Sequence, residues 1–103
     1  MAKPKFDGVI EAVHYNTDGQ VDWVRAYLRR GPAFSDRVKL DRQMLVEHLR
    51  SGKRFVTGRR IPLMGGFFEI DQPLRLEPHN GRDVLVVGDQ QAEQDFLKNV
   101  PLI

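Results

Sequence analysis

The chain has no cysteine and a single tryptophan, and no apolar run approaches the roughly 20 residues a membrane-spanning helix needs. Without thiols there can be no disulfide framework, no thiolate metal site and no cysteine nucleophile. Three histidines, His14, His48 and His79, fall on a predicted strand, a helix and a turn, and no two have the close spacing of paired metal ligands on a helix. No metal and no cofactor is therefore expected. Ser35 and Ser51 lack the glycine-flanked elbow of a catalytic serine, and Thr57-Gly58-Arg59-Arg60 is neither a P-loop nor a dinucleotide fingerprint. That segment reads as a turn with solvated arginines, phosphate binding being its lesser alternative. With no legible catalytic constellation, the expectation is that the protein is not an enzyme. Met1-Ala2-Lys3-Pro4-Lys5 is basic, but polar Phe6-Asp7-Gly8 follows it, so no export signal is expected. A soluble, cytoplasmic protein without a membrane partner fits these absences.

At 103 residues the chain has room for one domain, taken as 1–103, with a core that can hold without staples. No repeat, low-complexity stretch or linker divides it. What is present is an uneven charge distribution. Residues 36–60 carry eight cationic against three acidic side chains, residues 61–103 three against seven, and residues 1–35 five against four. The excess of two positive charges is thus a basic centre beside an acidic tail. That layout suits either an anionic partner or an internal charge match.

Periodicity places the elements. Gly8–Tyr15 and Val21–Leu28 alternate as strands around a polar connection containing Asp18-Gly19, a hairpin signal. Arg37–Leu40 alternates as a short strand, Asp41 is placed to cap a helix over Arg42–Ser51, and Gly52 stands where a helix ends. Short strands are expected at 54–57, 61–64, 67–70, 74–77 and 84–87. Gly65-Gly66 and Asn80-Gly81 mark two further hairpins, and Asp89 is a candidate cap for a short C-terminal helix carrying Ala92, Phe96 and Leu97. The fold class is α+β: a small antiparallel sheet built of hairpins, curled or barrel-like, with one mid-chain helix and the C-terminal helix.

The candidate site follows from the charge. Trp23, Arg25 and Tyr27 share one strand face, Arg29 and Arg30 end that strand, and Arg37, Lys39, Arg54, Arg59 and Arg60 supply the basic centre. Arginines beside exposed aromatics on a β surface neutralise phosphates and stack bases, so these ten residues are the candidate nucleic-acid-binding set. A domain this small also needs its few large aromatics inside, which makes the barrel wall the ordinary place for Trp23 and Tyr27. The leading expectation is a non-enzymatic binding module for nucleic acid or another polyanion. The alternative is a small structural or protein-interaction domain, as a homodimer for instance, whose basic centre pairs with the acidic tail. Leu63–Phe68 and Val100–Ile103 are the apolar stretches that could dock a partner, or else pack on the core and over an open sheet end.

Overall fold

The computed structural model describes residues 6–62 and 67–103. Seven strands and one helix follow in the order β1 Gly8–Tyr15, β2 Val21–Arg30, β3 Ala33–Phe34, β4 Val38–Asp41, α1 Arg42–Arg50, β5 Phe55–Arg60, β6 Phe68–His79 and β7 Arg82–Val87. They form one curled sheet in the spatial order β3-β2-β1-β5-β6-β7, with β4 also on β2. The sheet is an open half-barrel. It is not purely antiparallel, since β5 runs parallel to β1 with Gly8, Val9 and Ile10 opposite Phe55, Val56 and Thr57. Parallel strands need a crossover, and here the path through β4 and α1 provides it.

Local chemistry sets the helix. The Asp41 carboxylate accepts the Met44 N–H at 2.8 Å, and the other end closes with Gly52 at φ +91°. Gly52 N–H reaches the Leu49 carbonyl at 3.1 Å and Lys53 N–H the His48 carbonyl at 3.1 Å, the paired bonds of a Schellman ending. Leu45 and Val46 are buried against Ile10, Val24, Leu40, Phe55, Leu74 and Leu85, so the core lies between the helix and the sheet face turned towards it.

Two expectations about strands need correction. Ile61 and Pro62 are not in a strand: β5 continues through Thr57-Gly58-Arg59-Arg60, so that segment is not a loop, and Ile61 N–H bonds the Phe67 carbonyl across the connection. Leu63, Met64, Gly65 and Gly66 lie outside the described residues. The separate strands 67–70 and 74–77 are one strand, β6, which runs through Pro73. The proline is tolerated because β6 changes partner there, pairing with β5 up to Pro73 and with β7 from Leu74. Gly58 permits the β5–β6 contact, since a Cβ at this position would lie 2.3 Å from the Glu69 carbonyl oxygen.

The C-terminal helix is not formed. Residues 89–103 instead cross from one sheet edge to another. Phe96 N–H bonds the Leu85 carbonyl at 2.8 Å and covers the edge of β7. Further on, Val13 N–H bonds Pro101 O at 2.9 Å and Ile103 N–H bonds Val13 O at 3.0 Å, so the tail takes the edge of β1 beyond β5. Unpaired strand edges outcompete a short, polar helix for these backbone groups.

Immediately before the first of these crossings sits Asp95, whose side chain is 1% exposed. Its carboxylate accepts Val21 N–H of β2 at 2.8 Å, Leu85 N–H of β7 at 2.9 Å, and the Arg42 guanidinium of α1 at 2.8 and 3.1 Å. Arg42 also donates to the Asp83 carbonyl at 2.8 Å. The pairing with Asp95 raises the guanidinium's proton affinity further, outweighing the opposing effect of its partial burial. Asp95→Ala would leave two buried N–H groups and a half-buried guanidinium without their acceptor. It should destabilise the fold by about 3–5 kcal/mol in urea unfolding at neutral pH, and a loss below about 1 kcal/mol would show that the network is dispensable.

Candidate nucleic-acid interface

Strand alternation distributes the candidate residues. Val24, Ala26 and Leu40 point to the core, so Trp23, Arg25 and Tyr27 of β2 and Lys39 of β4 belong to the face turned away from α1. Arg29 continues the same row. Arg37 and Arg60 reach this face from the start of β4 and the end of β5, and both contact Tyr27. The structure therefore brings together seven of the candidates: Trp23, Arg25, Tyr27, Arg29, Arg37, Lys39 and Arg60. Arg30 is exposed at the strand end, Arg54 precedes β5 near the helix terminus, and Arg59 points to the other side of its strand, where Glu69 holds it at 3.1 Å.

Within the face, the residues differ in what they leave open. Tyr27 is 2% exposed and offers no ring face for a base. Arg60 lies 4.5 Å over its ring, and Phe68 packs edge-on at 5.2 Å. Its hydroxyl donates to Glu11 at 3.0 Å and accepts from Arg37 Nε at 3.0 Å. Glu11 reaches this position because it is the extra residue of a bulge between Ile10 and Ala12, and it also pairs with Arg37 at 2.9 Å. Together with Phe6 and Phe34, Tyr27 and Phe68 form a small aromatic cluster beneath the two arginines. Tyr27 thus belongs to the wall, and Arg37 is neutralised where it stands.

The other end of the face is different. Trp23 is half-buried, stacked on His14 with ring centroids 5.5 Å apart, and Lys39 Nζ lies 4.8 Å from its ring centre. His14 is fixed in turn by a 2.7 Å hydrogen bond from Nδ1 to the Ile103 main-chain oxygen. Arg25 and Lys39 are direct partners across the β2–β4 ladder, and neither has an ion-pair partner among the described residues. Like charges in direct register destabilise a sheet, so this corner carries a cost that no ion pair among the described residues relieves.

Elsewhere the internal charge match, one of the two layouts the sequence allowed, is made by several pairs. Arg42 pairs with Asp95, Arg50 with Asp83 and Arg59 with Glu69, each joining the basic centre to the acidic C-terminal region. Sequence reading missed Glu11 and Asp95 as organising residues. The placement of Glu11 within a strand otherwise rich in apolar residues is the signal that could have drawn attention to it, whereas Asp95 lies in the tail after β7, outside any strand. Among the described residues no three His, Asp or Glu side chains gather as metal ligands, and no helix is long and apolar enough to cross a membrane.

The chain matches no family model, no curated protein and no solved structure at a significant level.

Two outcomes are expected from these charges. Lys39→Glu would replace a like-charge pair with an opposite one opposite Arg25 and should raise stability by about 0.2–1 kcal/mol in urea unfolding; a decrease would mean that Lys39 is already compensated. Asp7 pairs with Arg29 at 2.7 Å and accepts the Arg54 N–H at 2.9 Å; first the backbone bond and then Arg29 hold its carboxyl below the ordinary value of 3.8. A lowered folded value means a contribution that is full above the unfolded value and is lost as pH falls through the folded one. The stability gap between the wild type and Asp7→Asn should therefore be constant from pH 7 to 5 and shrink below about pH 4, as followed by unfolding at each pH.

Proposed function

We propose that the protein is a non-enzymatic binding module for nucleic acid or a comparable phosphate-bearing polyanion, held on the sheet face turned away from α1. The observation that carries this reading is the Arg25–Lys39 register pair beside Trp23, two cations without an ion-pair partner among the described residues, kept opposite each other next to the only tryptophan. A phosphate seated between them would turn their repulsion into shared attraction. Trp23 would then meet an adjoining base by its accessible edge or on displacing Lys39 from its ring, which is why single strands fit this corner better than a rigid duplex. Arg60 and Arg37 extend the cationic row, but Glu11 and the aromatic cluster engage them.

The test uses labelled single- and double-stranded oligonucleotides at two salt concentrations, with anisotropy for affinity and Trp23 fluorescence for location. Binding should weaken with salt, with a log–log slope of about −1.4 if two phosphates of a single strand are neutralised. Arg25→Glu with Lys39→Glu should lower affinity at least tenfold, whereas Arg59→Glu should leave it nearly unchanged. Equal affinity in the Arg25/Lys39 variant, or no binding at low salt, would remove the reading.

A protein-interaction role is the second reading. It is favoured by Phe67, 65% exposed, and Ile70, 41% exposed, at the far end of the β5–β6 ladder. Mass in solution across concentration and salt distinguishes it in its homodimer form, since a strict monomer excludes that form.

A further inference from the structure

β6 gives up β5 at Pro73 and takes β7 from Leu74, so the sheet is unsealed between the start of β5 and the second half of β6. The gap opens onto the core. It is an open cleft of about 500 Å³, within the range of about 300–1,000 Å³ common for small-molecule sites. Its floor is Phe55, 1% exposed, and Leu74, 6% exposed, and half-buried Leu49 and Leu76 form its apolar walls.

The rim is cationic. Lys53 and Arg54 are exposed and have no ion-pair partner among the described residues. The main chain carrying them is held on both sides by Asp7, whose N–H bonds Arg54 O at 2.6 Å and whose carboxylate accepts Arg54 N–H at 2.9 Å. The Asp7 carboxylate near this rim is itself engaged by Arg29 at 2.7 Å. Arg75 also lines the gap, but Glu77 and the carbonyls of Gly88 and Gln90 occupy its guanidinium.

An apolar slot leading to the core, with two unneutralised cations fixed at its mouth, matches a ligand of the same polarity pattern. We propose that this fissure binds a single-chain amphiphile with an anionic head, a medium-chain carboxylate, its hydrocarbon between Leu49 and Leu76 and its carboxylate on Lys53 and Arg54. Extended peptide fits less well, because Pro78 lacks the N–H with which the same edge of β6 would continue a ladder. The inference is independent of the nucleic-acid reading, which uses the opposite sheet face.

The experiment is a titration of the full chain with octanoate and decanoate below their micelle concentrations, followed by amide chemical shifts. Changes should concentrate at Leu49, at 53–56 and at 74–76. Affinity should rise with each added CH₂ by up to about fourfold. Lys53→Glu with Arg54→Glu should weaken decanoate at least tenfold and favour decyltrimethylammonium, while Arg25→Glu with Lys39→Glu should bind decanoate as the wild type does. Leu76→Phe, which fills the slot without changing charge, should also weaken binding, and this keeps the test valid if the double charge reversal does not fold. Unperturbed spectra at millimolar decanoate, shifts centred elsewhere, or undiminished binding by both fissure variants would overturn the proposal. So would binding to phosphatidylglycerol vesicles without binding of soluble decanoate, which would assign the rim to a membrane surface.

Discussion

The carboxylate of Asp95 is the point on which the shape of this protein turns. A sheet that curls without closing has two edges to hold at a set separation, and the backbone ladder cannot do this because no strand spans the opening. Asp95 does it with one buried group, taking an N–H from the first residue of β2, an N–H from β7 and the guanidinium at the start of α1. Burying a charge is unfavourable unless its lone pairs are filled, and here four hydrogen bonds fill them. The helix is thereby tied to both ends of the sheet that it covers. The first residue of β2 is held in the same way, and β2 carries the Trp23, Arg25, Tyr27 row on its other side.

This use of charge explains why the basic centre of the sequence is not a basic patch in space. Folding sends Arg42, Arg50 and Arg59 to carboxylates of the C-terminal region, and Arg29 and Arg37 to Asp7 and Glu11 near the N-terminus. Arg50–Asp83 and Arg59–Glu69 are exposed and contribute little each. The larger effect of the pairs together is subtractive, because they cancel the field of the central segment and leave cations uncompensated in a few places. Arg25 with Lys39 is one such place, and Lys53 with Arg54 is another. The two lie on different sides of the sheet, and their surroundings differ accordingly: a half-buried tryptophan beside one and an opening to aliphatic core beside the other.

What could be read from the sequence was local. Asp41 before the helix, Gly52 after it, and Asn80-Gly81, both at positive φ between β6 and β7, are requirements of a few neighbouring atoms, and the residues announce them. Alternation in β2 likewise placed Trp23, Arg25 and Tyr27 on one face. The rest depended on partners distant in sequence. Nothing near Pro73 tells that β6 continues through it, because the strand survives by exchanging one neighbour for another. Asp89 and the apolar residues after it satisfy a helix pattern, yet the open edges of β7 and β1 claim that backbone. Tyr27 has the composition of a stacking platform, and only the bulge at Glu11 and the reach of Arg60 show that its ring and hydroxyl are both engaged.

The exchange at Pro73 ties these observations together. A strand of 12 residues that pairs with β5 over one half and β7 over the other lets a short chain build a wide sheet, since each neighbour needs only half the length. The same economy leaves β6 unpaired on alternate edges. On one side of the exchange the free edge carries Glu69, Asp71 and Gln72, polar side chains that discourage pairing with another chain. On the other side a continued β5 would have covered Leu74 and Leu76, but the turn after α1 occupies that place and brings Lys53 and Arg54 instead. The apolar floor and the charged rim of the fissure therefore have one cause, the late start of β5 at Phe55 after the helix ending at Gly52. Lengthening β5 towards its N-terminus would seal the sheet and remove both at once.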